Sequence, residues 1–115
     1  MRRATDRVRS AEGLQSLVRS GCLEEAAVER AEALVGQPLE HRPLTGVVST
    51  CVPGGRVAEN LVRSSASPEA VVDAWLKSPG HRNNLLDPAL RVTGVGCAPD
   101  AGEVLCAQLF ADRNQ

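Results

Sequence analysis

Aromatic residues are nearly absent from this 115-residue chain: it has no tyrosine, one tryptophan (Trp75) and one phenylalanine (Phe110). The core is therefore expected to be aliphatic and alanine-rich, with no stacked sugar-binding platform. Excess charge is missing too. Thirteen basic and fourteen acidic side chains leave a formal charge of −1, so nothing draws the chain generally to nucleic acid or anionic membrane. No run is long and apolar enough to span a bilayer. Met1-Arg2-Arg3 leads into polar sequence rather than the apolar core of a signal peptide. There is no Cys-x-x-Cys pair, no Gly-x-Ser-x-Gly elbow, no internal repeat and no low-complexity segment. The length suits one domain over residues 1–115.

What is present alternates between helical and strand signals. Arg2 to Ala11 reads as a helix with Ala4, Val8 and Ala11 on one side, ended by Gly13; its arginines 2, 3, 7 and 9 read as a solvated face. Leu14 to Gly21 is a connector anchored by Leu17 and Val18. A second helix, Cys22 to Val35, repeats Leu23, Ala27, Ala31 and Leu34 at helical period, with four glutamates elsewhere. Leu39 to Gly55 reads as loop, with a short strand at Val47-Val48-Ser49-Thr50. Arg56 to Arg63 reads as a strand in which Val57, Glu59 and Leu61 share a face, so Glu59 points among apolar neighbours and needs a partner.

Ser67-Pro68-Glu69 caps a third helix, whose Val71, Val72, Trp75 and Leu76 form one stripe. Pro79-Gly80 is expected to turn the chain and deliver His81 to a short helical turn at Asn83–Leu86. Arg91–Ala98 and Glu103–Ala111 form a terminal hairpin, and Asp112 to Gln115 a polar tail. Helices, then a strand, a helix and a hairpin, make an α+β chain.

The four cysteines stand at 22, 51, 97 and 106. If the hairpin turn centres on Ala101-Gly102, Cys97 and Cys106 lie opposite each other and can be bridged. Cys22 would then pair with Cys51, closing a loop whose restraint contributes about 3–4 kcal/mol in the chain-entropy model. The alternative is four buried reduced thiols in a cytosolic protein.

Ala58-Glu59-Asn60-Leu61, the helix with Trp75, Ser78-Pro79-Gly80-His81-Arg82-Asn83-Asn84, Gly94-Val95-Gly96 and Gln108-Leu109-Phe110 follow in order. Together they resemble the CAP superfamily (cysteine-rich secretory proteins, antigen 5 and pathogenesis-related 1 proteins) in its short bacterial SCP-like form. The resemblance runs over nearly the whole chain and takes in Gly13-Leu14, the alanine-rich second helix and His41. It implies an α-β-α sandwich, a small antiparallel sheet flanked by helices. It also implies an exported protein of the extracellular space or envelope, from which either an upstream targeting segment or other domains are expected to have been removed.

Family members carry a cleft of two histidines and two glutamates that in some binds zinc or another divalent ion. By position His41, Glu59 and His81 match three of these, and two imidazoles with a carboxylate can make an open zinc site. The second glutamate's position is Ser78 here, which removes one charge and one candidate base. Asn60, Ser78 and Arg82 are the expected supports of the cleft. The plainer reading has His81 hydrogen-bonded to Glu59 as a fold-fixing pair, His41 as a surface loop histidine, and Arg82 paired with Asp73 or Asp87. Three functions stand open at this point. One is an envelope binding or structural module with an unidentified protein, lipid or small-molecule partner. The second is a metal-dependent hydrolase using His41, Glu59 and His81, and the third is a lipid- or sterol-binding protein. No committed catalytic residue and no oligomeric state follows from the sequence.

Overall fold

The computed structural model describes residues 1–114; Gln115, the last residue of the expected tail, lies outside the described residues. The elements run α1 (Arg2–Ala11), β1 (Val18–Arg19), α2 (Gly21–Leu34), α3 (Thr45–Cys51), β2 (Val57–Ser64), α4 (Pro68–Leu76), α5 (Pro79–Leu86), β3 (Val92–Asp100) and β4 (Glu103–Ala111). The strands lie in the order β1-β3-β4-β2, with β4 antiparallel to both long neighbours. The antiparallel sheet gains a parallel edge that was not expected. Val18 N–H donates to the Arg91 carbonyl and Ser20 N–H to the Thr93 carbonyl, each at 2.9 Å, so the connector becomes β1. Leu17 is buried as expected, but Val18 is 58% exposed.

Helices cover both faces, and the alternation of side chains along the strands divides the core in two. Val57 and Leu61 of β2 pack with Leu23, Ala27, Ala31 and Leu34 of α2; Ala58 and Val62 pack with Trp75, Leu85 and Phe110 on the α1, α4 and α5 side. On the first face α2 comes down onto β3 over Gly94 and Gly96. A Cβ on Gly94 would stand 2.3 Å from the Glu24 nitrogen, and one on Gly96 2.2 Å from the Val28 nitrogen. Only glycine permits that approach.

The terminal hairpin closes through Ala101 (φ 51°) and Gly102 (φ 85°), a two-residue turn with both φ positive. That register sets Cys97 opposite Cys106, and the two are bridged with their Cα atoms 4.1 Å apart. Cys22 and Cys51 form the second disulfide, Cα atoms 5.6 Å apart.

Three local expectations are corrected. Val47–Thr50 belongs to helix α3, not to a strand: Val47 and Cys51, four apart, face the α2 core, and that burial outweighs the β preference of adjacent valines. The Cys22 bridge therefore ends on a helix rather than a loop. Pro79-Gly80 is the first turn of α5 and not a free turn, since Ser78 is extended at the N-cap and proline needs no donor at the first helical position. Arg9 does not belong to a solvated face. It is 2% exposed and donates to the carbonyls of Gln15 (2.9 Å), Leu85 (2.9 Å), Asp87 (3.1 Å) and Leu90 (3.2 Å). Burial pulls its pKa down from the usual arginine value, against the charges of Asp6 and Asp87. Nearby, Gln108 donates to Thr5 and Thr93, both at 3.2 Å, a buried polar bridge between α1 and the sheet.

Candidate functional site

Strand β2 is an edge of the sheet, and consecutive residues on it face opposite layers. Glu59 turns toward α2, Asn60 toward α5; they are 4% and 0% exposed. The Glu59 carboxylate meets a guanidinium. Arg30 Nε donates to Oε2 and Arg30 Nη2 to Oε1, the latter at 3.0 Å. The same Oε1 lies 2.9 Å from His41 Nδ1. Arg30 also donates to the carbonyls of Arg42 (2.7 Å) and Pro43 (3.1 Å), so one side chain joins α2, β2 and the segment carrying His41. The sequence reading missed Arg30. A signal was available: it is the one base of α2, among four glutamates, and it stands directly before the buried Ala31.

On the other side, Asn60 Nδ2 donates to the His81 carbonyl (3.1 Å), and Asn84 Nδ2 donates to Asn60 Oδ1 (2.9 Å) and the Glu59 carbonyl (3.3 Å). Trp75 Nε1 donates to the Leu61 carbonyl at 3.3 Å. These side chains cover the open edge of β2, which would otherwise offer bare carbonyls to another strand. The His81 ring stacks on Trp75, centroids 5.9 Å apart, and its Nδ1 lies 3.0 Å from Ser78 Oγ. Burial first, and the charge of His41 second, hold the His81 imidazolium below the usual histidine range.

The structure therefore brings Glu59 to His41 and Arg30, and His81 to Ser78, Trp75 and Asn60. The expected Glu59–His81 pair is replaced, because strand alternation sends the carboxylate to the α2 side while His81 arrives from α5. His41 keeps a 56% exposed side chain, yet it is tied to Glu59. Arg82 reaches Glu12 at 3.5 Å, both exposed, rather than Asp73 or Asp87; Asp87 is held by Arg56 at 2.9 Å. Arg82 thus props α5 on the end of α1.

A divalent ion would need His41, Glu59 and His81 to converge with a free carboxylate. Both oxygens of Glu59 are instead engaged by a resident cation, and each imidazole directs Nδ1 to a different partner. Among the described residues no three His, Cys, Asp or Glu side chains are grouped to hold a metal ion. As arranged, the donor set does not fit the metal.

The edge strand with Glu59-Asn60, the Trp75 helix and the His81 helix start form one connected unit. A family model, CAP: Cysteine-rich secretory protein family, matches residues 2–110. The chain belongs to the CAP family. Several solved CAP-fold structures superpose on it. An outer surface protein from Borrelia burgdorferi matches with TM-score 0.81 at 21% identity, covering 98% of this chain and 90% of that one. A cysteine-rich secretory protein from Staphylococcus aureus matches with TM-score 0.78 at 17% identity, covering 97% of this chain. An extracellular SCP-domain protein from Bacillus anthracis matches with TM-score 0.72 at 21% identity, covering 92% of this chain. Of the last two proteins this CAP chain spans only 37% each. A local match to Bacillus subtilis YkwD is 47% identical over 38 residues, 33% of this chain and 15% of YkwD.

Proposed function

We propose that this CAP domain is an exported bacterial module of the extracellular space or envelope, with a binding or structural role rather than a hydrolytic one. The observation that carries the reading is the Glu59 carboxylate. A general base or metal ligand needs a carboxylate oxygen open to the reacting group, and the Glu59 side chain is 1% exposed. Here both oxygens accept from Arg30, and one also faces His41. Ser78 and His81 form a contact, and among the described residues no acid hydrogen-bonds the ring to complete a triad for acyl transfer. Two disulfides support an oxidising compartment, as do the extracellular and outer-surface relatives.

The test is hydrolysis of casein and of a p-nitrophenyl ester by the oxidised protein, with and without added zinc, beside Glu59→Gln. The expected outcome is no turnover that distinguishes the two proteins. Turnover abolished in Glu59→Gln would make the chain a hydrolase and end the module reading.

A further inference from the structure

The Glu59 side chain is 1% exposed, and a carboxylate that deep stays charged only beside a cation. A divalent ion could supply that charge in such a cleft. Here the chain supplies it. We propose that Arg30 is the resident cation of this site: its guanidinium takes the carboxylate that a metal would need and joins Glu59 to the His41 segment without one.

Two independent features support this. The planar guanidinium meets both carboxylate oxygens, so a fixed positive charge already occupies the position a metal would take. Its remaining contacts go to the carbonyls of Arg42 and Pro43, the two residues after His41, so the group that neutralises Glu59 also sets the backbone that presents His41 to it. A metal would have to displace Arg30 from both hydrogen bonds to Glu59 and leave a guanidinium, 14% exposed, without its partner. The inference stands whether or not the domain is exported or binds a partner, so its test and the hydrolysis test fail separately.

The experiment is a calorimetric zinc titration of the oxidised protein near neutral pH, with thermal melts in EDTA and in zinc. The proteins are wild type, Arg30→Lys, Arg30→Met, and Arg30→Met combined with His41→Ala. Wild type and Arg30→Lys are expected to give no binding heat and melting temperatures indifferent to EDTA. Arg30→Met is expected to melt several degrees lower, to gain a zinc-binding heat through Glu59 and His41, and to recover melting temperature in zinc. Adding His41→Ala should abolish that gain. One-to-one micromolar binding by wild type or Arg30→Lys overturns the proposal, as does a folded Arg30→Met that stays silent to zinc. Should Arg30→Met fail to fold, the wild-type and Arg30→Lys titrations decide it alone.

Discussion

On one face of the sheet, α2 rests its backbone on β3 over Gly94 and Gly96, and what lies between is Leu23, Ala27, Ala31 and Leu34. On the other face, under α1, α4 and α5, polar side chains make the links: Gln108 to Thr5 and Thr93, Asn60 to Asn84, and Arg9 from α1 to four carbonyls of the neighbouring segments. The first face is specified by shape, because close-packed backbone tolerates almost no added volume. The second is specified by hydrogen bonds, whose directions fix how three separate helices dock. With so few aromatics, the chain fills width with guanidinium and amide groups where another protein would use large rings. The candidate site sits where the two modes meet, at β2, whose successive residues belong to different faces.

The comparison breaks most sharply at Gly96. Gly96→Ala drives a methyl into the Val28 backbone, so α2 must lift, and we expect a loss of more than about 3 kcal/mol, read as an early urea midpoint or failure to fold. Stability within about 1 kcal/mol of wild type would mean that the helix can shift freely and that shape does not govern this face.

Next comes Arg9→Met, which keeps length and apolar stem but strips the donors from four carbonyls. A loss of about 2–3 kcal/mol is expected, with the fold retained. A neutral result would show that α1 docks by apolar contact alone.

The smallest effect belongs to His81. Because burial and the charge of His41 lower its folded-state pKa, the native protein binds fewer protons than the unfolded chain below the ordinary histidine value of about 6.5. Its contribution is fully present above that value and declines as pH falls toward the lowered one. His81→Gln should therefore flatten the decline in urea midpoint between neutral and mildly acidic pH. An unchanged slope would assign the acid sensitivity to another group.

Local signals gave an accurate account of much of this architecture. Gly13 closed the first helix, and the Leu23, Ala27, Ala31, Leu34 spacing marked α2. Ser67-Pro68 opened α4, and the Ala101-Gly102 turn brought Cys97 to Cys106. Where local preference and tertiary burial disagreed, burial prevailed: adjacent valines in α3 turned helical because Val47 and Cys51 had a core to enter. The candidate site was legible only as a set of residues. Glu59's alternation correctly announced a buried carboxylate in need of a partner, but the partner lay 29 positions earlier and 18 positions earlier, on Arg30 and His41, rather than on His81.

By itself, then, the sequence determined the longer helices, the terminal hairpin with its Cys97–Cys106 link and the facing of the β2 residues, because these follow from periods of two and 3.6, capping chemistry and turn geometry within a few residues. Tertiary structure alone decided which charges meet. Arg9 and Arg30 are both arginines on helices beside acids and apolar residues. One became a strut for backbone carbonyls and the other the counter-ion of Glu59, because a side chain's partner is chosen by what the packed layers bring within its reach, a quantity that no local pattern encodes.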